Sequence, residues 1–118
     1  MKKSPLVEKS YLFAIKVVKT TYIIQNFKKE FILTKQFIRS GTAIAALISE
    51  GQYAQSQADF INKFSISLKE ANETKFWINL LKDTEFIQID DFNNLIFELE
   101  EIIKMLTSSI NTLKSKQK

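Results

Sequence analysis

Two pairs of glutamates are the best candidates in this sequence for residues that bind a metal ion or catalyse a reaction. Glu70 and Glu73 lie three positions apart, as do Glu98 and Glu101, so each pair would share one face of a helix. Carboxylates arranged in this way bind metals in helical bundles, but they do so together with the histidines of Glu-x-x-His motifs. The chain contains no histidine and no cysteine. We therefore predict no metal, no cofactor and no catalytic residue, and a protein that is not an enzyme.

The scarce residue types exclude further classes of protein. Without cysteine there are no disulfides or thiolate zinc sites, and without histidine the commonest general base is missing. Only two glycines are present, which excludes the clustered glycines of a phosphate-binding loop. Charged residues such as Glu8 and Lys16 interrupt the apolar runs, so neither a signal peptide nor a membrane span is predicted. We expect a cytoplasmic protein with no membrane partner and no small-molecule substrate.

The net charge of +4 is divided unevenly along the chain. Residues 1–39 contain nine basic and two acidic residues, residues 40–113 contain five and eleven, and the last five residues contain three lysines. Such asymmetry fits either a nucleic-acid-binding surface or basic and acidic helices that lie side by side. The candidate phosphate-binding residues are Lys9, Lys16, Lys19, Lys28, Lys29, Lys114 and Lys116.

Arg39 is the single arginine of a chain with sixteen lysines. Its planar guanidinium can bind two carboxylate oxygens at once, and an ammonium group cannot replace it in that role. If its helix face meets the face with Glu70, Glu73 and Trp77, these residues would form a partly buried network that fixes helix register or subunit geometry. Glu50 shares the face of Arg39 and is included in this candidate network. Alternatively, the charges are solvated and Trp77 is an ordinary core residue.

The spacing of apolar residues predicts an all-α fold with four amphipathic helices. The expected helix ranges are about 5–26, 30–53, 57–83 and 90–114. Ser4 and Ser56 are expected to cap the first and third helices, and Asp90 begins the fourth, where a helix end favours negative charge. Because the links are short, we expect an antiparallel, up-down-up-down four-helix bundle. No change of composition divides the chain, so residues 1–118 are predicted to form one domain.

The first helix has two apolar stripes, whereas a monomeric bundle needs only one. The first stripe consists of Val7, Tyr11, Ala14, Ile15, Val18 and Tyr22, and the second of Leu6, Phe13, Val17 and Ile24. Two stripes imply burial on two sides and hence a subunit interface, to which we assign Phe13 and Val17. In the second helix, Gly41 costs about 1 kcal/mol relative to alanine, so it predicts the close approach of a neighbouring helix.

Three segments give the sequence a family resemblance. Residues 6–11 (LVEKSY), residues 35–44 (KQFIRSGTAI) and residues 58–77, which include KEANETKFW, closely resemble the four-helix-bundle family encoded in bacterial 23S rRNA intervening sequences. Members are sometimes labelled ribosomal proteins. The resemblance covers nearly the whole chain. It implies a homopentameric ring of antiparallel bundles, related to the accessory protein of diversity-generating retroelements, which partners a reverse transcriptase and binds nucleic acid.

The chain departs from the family pattern at two places. Asn72 stands where an arginine is common, and residues 45–47 read Ala-Ala-Leu where Gly-Ala-Asn is common. The first change removes a basic group, which weakens the expectation of nucleic-acid contacts at that position.

Two functions fit these observations. The first is a non-enzymatic homo-oligomer that binds RNA, DNA or a nucleoprotein, with lysines of the first helix, of the following link and of the tail contacting phosphates. Such binding would depend little on sequence and steeply on salt. The alternative is a protein-interaction scaffold that binds no nucleic acid, in which the basic residues provide solubility or complement the acidic half of the chain.

Overall fold

Four α-helices make up the computed structural model, which describes residues 4–116. They are α1 (Pro5–Lys28), α2 (Leu33–Gln52), α3 (Gln57–Asp83) and α4 (Ile89–Lys116). Each helix packs against the next, and α1 also packs against α4, so the helices form the four corners of an antiparallel bundle 50 Å long. The predicted all-α, up-down-up-down bundle is confirmed, and no strand occurs within residues 4–116. Lys2, Lys3 and Lys118, which contribute to the uneven charge, lie outside the described residues.

Side-chain caps begin the first and third helices. Ser4 Oγ accepts a hydrogen bond from the Leu6 N–H at 3.3 Å, with Pro5 as the first helical residue. Ser56 Oγ accepts one from the Asp59 N–H at 3.1 Å. An oxygen at this position satisfies a backbone N–H that the helix itself leaves unpaired. Both helices therefore begin where the sequence predicts.

The link between α1 and α2 differs from the prediction. Lys29 has a left-handed backbone (φ 54°), and α2 begins at Leu33 instead of residue 30. Glu30 lies outside the helix and caps it, because its carboxylate accepts hydrogen bonds from the N–H groups of Ile32, Leu33 and Thr34 at 3.0, 2.9 and 2.9 Å. The sequence does not distinguish a glutamate in the link before a helix, whose side chain caps the helix, from a glutamate in the first turn of the helix. The predicted start at residue 30 was wrong for that reason.

The cap also determines the ionisation of Glu30. Partial burial alone would raise its pKa. The backbone N–H groups of Leu33, Thr34 and Ile32 and the Thr34 hydroxyl stabilise the charged carboxylate, however, and hold the pKa below its ordinary value of 4.5. The carboxylate is therefore charged at neutral pH, where it also interacts favourably with the positive end of the α2 dipole.

One continuous apolar core runs along the bundle axis, and every helix contributes to it. Its buried members are Leu6, Phe13, Val17, Ile24, Phe37, Ile44, Ile48, Phe64, Ala71, Ile78, Leu81, Ile87, Leu95, Leu99, Ile102, Leu106 and Ile110. Burial of this surface is the main force that holds amphipathic helices together. Within the described range, none of the helices combines the length and the apolar character that crossing a membrane requires.

Gly41 is a point of close contact between α1 and α2. A Cβ atom at this position would lie 2.8 Å from Cγ1 and 2.9 Å from Cγ2 of Val17, well inside van der Waals contact. Val17 is fully buried and β-branched, so its side chain cannot turn away without disturbing the core. The close approach predicted at Gly41 is confirmed, and the neighbouring helix is α1.

Buried hydroxyl groups join α2 to α3. Ser67 Oγ donates to the Ile44 carbonyl oxygen at 3.0 Å, and Thr74 Oγ1 is hydrogen-bonded to Ser40 Oγ at 2.9 Å. All four residues are buried. Because a buried polar group without a partner destabilises the fold, these contacts favour a single register of α2 against α3.

Replacing Glu30 with alanine should destabilise the protein by about 1 kcal/mol at pH 7, because three N–H groups of α2 lose their acceptor. Since folding lowers the pKa of Glu30, the stability advantage over E30A is complete above the unfolded-state pKa and is lost as the pH falls through the lower folded-state pKa. Urea denaturation of both proteins from pH 7 down to pH 3 measures this. A stability difference that stays constant down to pH 3 would contradict the assignment.

Gly41→Ala should destabilise the protein by about 1–3 kcal/mol, even though alanine favours a helix by about 1 kcal/mol, because the new Cβ meets the buried Val17 side chain. Urea denaturation gives the free energy of unfolding. Val17→Ala removes the obstructing methyl groups, so the double variant should be more stable than the sum of the two single changes predicts. Strictly additive losses would show that this contact is not the cause.

Candidate functional site

Salt bridges join the basic helix α1 to the acidic helix α4. Lys9 Nζ lies 3.4 Å from Glu101 Oε1. Lys16 is paired with Glu98, and its Nζ lies 2.8 Å from Asn94 Oδ1. The four charged side chains are partly exposed, so water and salt reduce each pair to roughly 0–1 kcal/mol. For Lys9 and Lys16, the structure therefore favours the second interpretation of the uneven charge, in which basic and acidic helices lie side by side.

The other candidate phosphate-binding lysines form no salt bridge within residues 4–116. Lys28 donates to a backbone carbonyl oxygen of the α3–α4 link at 3.2 Å and has no carboxylate partner within salt-bridge distance among the described residues. Lys28 and Lys29 lie at one end of the bundle, Lys114 and Lys116 near the other, and Lys19 on α1 between them. The seven predicted lysines therefore do not form one continuous patch.

Arg39 joins α2 to α3 through the predicted network. Its Nη1 lies 3.3 Å from Glu70 Oε1, and its Nη2 is hydrogen-bonded to Glu73. The Trp77 indole N–H donates to the same Glu73 carboxylate at 3.0 Å, and Arg39 Nε donates to Gln36 at 3.3 Å. One guanidinium thus binds two carboxylates that lie one helical turn apart. Because Arg39 is half exposed, the network contributes modestly to stability and mainly favours one register.

Glu50 does not belong to this network. Its Oε1 lies 3.5 Å from Lys63 Nζ, near the opposite end of the α2–α3 pair. Glu50 and Arg39 are separated by about 16 Å along the α2 axis, given the rise of a helix. Including Glu50 in the network was wrong, because residues on one helix face need not share partners.

The glutamates that suggested metal chemistry are engaged with basic partners. Glu98 and Glu101 are paired with lysines of α1, and Glu70 and Glu73 with Arg39. In the part of the chain that the structure describes, no three or more potential metal-ligating side chains are grouped together. The arrangement of these carboxylates suits the pairing of helices.

The two stripes of α1 have roles opposite to those expected. Phe13 and Val17, which were assigned to the subunit interface, are 0% exposed and belong to the core of the single chain. The first stripe faces outwards instead, with Tyr11, Val18 and Tyr22 exposed. The spacing of apolar residues identifies two faces but does not decide which one packs inside, and the assignment of Phe13 and Val17 was wrong for that reason.

We call this first stripe of α1 the outer face, and its residues are Val7, Tyr11, Ala14, Ile15, Val18 and Tyr22. Beside it, Ala45 and Ser49 of α2 line a groove together with Val7 and Tyr11. Because the α2 side chains here are small, one side of Tyr11 is open to a partner. The outer face and its groove form a largely apolar surface that residues 4–116 do not cover.

A second exposed apolar group lies at the link between α1 and α2, and the helical spacing did not reveal it. Phe27, Phe31 and Ile32 are exposed there. We call residues 27–35 the tip. The sequence did contain one indication of this group: large apolar residues occur in a short polar link, where they are not needed to form the core.

These features define a class of protein, an antiparallel four-helix bundle with charge-paired helices and an uncovered apolar face on the first helix. Residues 2–108 match the family described as 23S rRNA-intervening sequence protein, and the chain belongs to that family. The resemblance inferred from the sequence is thereby confirmed.

A solved structure supports the same relationship. The chain is similar to a crystal structure of a protein of unknown function from the S23 ribosomal protein family of Bacteroides thetaiotaomicron VPI-5482, with 46% identity and a TM-score of 0.88. The similarity covers 89% of this chain and 97% of that one. No match was found among curated proteins. Neither the family nor the solved structure carries an assigned biochemical activity.

Arg39→Lys should lower the free energy of unfolding by about 0.5–1 kcal/mol, because one ammonium group cannot bind both Glu70 and Glu73. The fluorescence of Trp77, the single tryptophan, should also change because Trp77 shares the Glu73 carboxylate. Urea denaturation followed by fluorescence measures both effects. Lys104→Ala removes an exposed charge of α4 outside the network and should change neither. If R39K matches wild type in both measurements, the network does not form.

Proposed function

We propose that the protein is a non-enzymatic, homo-oligomeric interaction module whose subunits assemble through the outer face of α1. The observation that carries this proposal is the exposure of large apolar side chains along one stripe, of which Tyr22 is 70% exposed. Monomeric proteins rarely leave connected apolar patches larger than a few hundred Å² in contact with water. A second copy packed on the outer face would remove these side chains from water.

The two flanks of α1 favour a ring over a symmetric pair. Tyr11 lines the groove against α2, whereas Ile23 lines a separate groove against α4, together with Leu95. When two unlike surfaces meet, the resulting pair keeps one free surface of each kind, so further copies can add until a ring closes. Five subunits is the number that the family resemblance implies, and we adopt it for the proposed ring.

Charges on α1 support a directional contact between subunits. Glu8 lies beside Tyr11 in the groove against α2, and Lys19 lies beside Val18 on the outer face. Neither residue forms a salt bridge within the described chain. A neighbouring subunit would offer each of them an oppositely charged partner, which would fix the orientation of the contact more than its strength.

Nucleic-acid binding is the second proposed function. It is favoured by the candidate lysines that lack a salt bridge among residues 4–116, namely Lys19, Lys28, Lys29, Lys114 and Lys116. Lysines of this kind can neutralise phosphates of RNA, DNA or a nucleoprotein, with an affinity that falls steeply as salt rises. Lys9 and Lys16 would contribute less, because each already faces a carboxylate of α4. A scaffold that binds no nucleic acid is the alternative.

Replacing Val18 and Tyr22 together with glutamate should convert the oligomer into a monomer, because the proposed interface would then bury two unpaired charges. Size-exclusion chromatography with light scattering measures the mass, which is 13.7 kDa for one chain and about five times larger for the proposed ring. Phe97→Glu places the same charge at an exposed apolar position of α4, so it is the matched control and should leave the mass unchanged.

All three positions are exposed, so circular dichroism should show that the variants keep their helices. A monomeric wild-type protein would overturn the proposed assembly. An oligomer that persists in V18E/Y22E but dissociates in F97E would move the interface from α1 to α4.

A further inference from the structure

The tip presents apolar side chains to solvent at one end of the bundle. Phe27 and Ile32 are 82% and 79% exposed, and Phe31 is more than half exposed. The fold does not require them, because the link between α1 and α2 is held by the hydrogen bonds of Glu30. Three large apolar side chains within six residues form a surface that favours a partner.

The lysines of the tip have no salt-bridge partner in the part of the chain that the structure describes. Lys28, Lys29 and Lys35 are exposed, and none of them forms a salt bridge within residues 4–116. The one acidic residue of the tip, Glu30, directs its carboxylate to three backbone N–H groups of α2. The tip therefore combines aromatic rings with lysines that form no salt bridge in residues 4–116, which suits a partner that is anionic and has flat apolar faces.

We propose that the tip binds single-stranded nucleic acid, with unpaired bases stacked on Phe27 and Phe31 and with phosphates near the lysines of the tip. Aromatic rings bind bases with little sequence preference, because every base has a face on which to stack. In a duplex, neighbouring base pairs cover those faces everywhere except at the two ends, so the rings find far fewer places to stack. The inference rests on the second proposed function and adds to it a site and a type of strand.

An anionic membrane fits this end of the bundle less well. The α3–α4 link lies beside the tip, since Lys28 donates to the carbonyl oxygen of Glu85. The exposed acidic residues of this region are Asp83, Glu85, Asp90 and Asp91. A flat bilayer pressed against this end would face all four carboxylates at once, which repel anionic headgroups, whereas a single strand is narrow and would meet fewer of them.

The proposed ring would bring several tips onto one circle. Rotation about a single axis keeps every copy of a tip at the same height, so a cyclic assembly presents them together. A strand long enough to reach two tips should bind more tightly than a short one, because its second contact is intramolecular. An affinity that rises with strand length therefore reports on the assembly. The stacking of bases at one tip does not require the assembly.

Fluorescence anisotropy tests the proposal with a fluorescein-labelled strand of 20 nucleotides and with the duplex of the same strand, at 50 and 200 mM NaCl. We expect the strand to bind about tenfold more tightly than the duplex. F27A/F31A keeps every charge of the tip and should weaken strand binding by about tenfold or more. The matched control is F97A, which removes an exposed phenylalanine of α4 and should bind as wild type does.

The other outcomes separate the two proposals. Equal affinity for strand and duplex, or unchanged strand binding by F27A/F31A, would overturn the stacking site. If K28Q/K29Q weakens the binding of both strand and duplex while F27A/F31A weakens neither, the protein binds nucleic acid but does not stack bases on the tip. If wild type binds neither at 50 mM NaCl, nucleic-acid binding itself fails. Binding to vesicles of 7:3 phosphatidylcholine and phosphatidylglycerol that F27A/F31A abolishes would then identify the tip as a membrane-binding surface.

Discussion

The register of α2 against α3 is the constraint on which the rest of the structure depends. The hydroxyls of Ser40 and Thr74 meet in this register, and the hydroxyl of Ser67 reaches the Ile44 carbonyl oxygen in the same one. A shift by one helical turn would break both contacts and leave the Ser67 hydroxyl without its partner in the core, at a cost of about 1–3 kcal/mol. Arg39 reaches two carboxylates of α3 because the buried contacts fix the relative height of the two helices.

The remaining helices are positioned against this pair. Gly41 brings α1 close to α2, since Val17 occupies the space that a side chain would need. With α1 held there, Lys9 and Lys16 face the acidic side of α4, and the opposite charges of the two helices are neutralised along their contact. The same packing turns one apolar stripe of α1 inwards and the other outwards. The lysines that form no salt bridge within residues 4–116 lie mostly towards the two ends of the bundle.

The features that follow from local signals could be predicted from the sequence. The cap at Ser56 and the pairing of Arg39 with α3 depend on residue types at helical spacing, and both were predicted. The inward stripe of α1 was not, because its two stripes are similarly apolar and the choice depends on how Val17 fits against Gly41, a contact between helices. The role of Glu30 was missed for a similar reason, since it depends on the direction of the backbone in the link. The exposed apolar residues of the tip have no periodicity that would reveal them.

The chain makes its links without glycine. Both of its glycines lie inside α2, where each allows a buried side chain of a neighbouring helix to come close. The left-handed positions of the links are occupied by Lys29 and Glu85, with φ of 54° and 67°, at a cost of about 1–2 kcal/mol per residue. Both lie at the same end of the bundle, so the left-handed backbone of residues 4–116 is concentrated there. The same end therefore holds both the left-handed backbone and the exposed apolar side chains of the tip, whereas the link between α2 and α3 at the other end contains no left-handed residue.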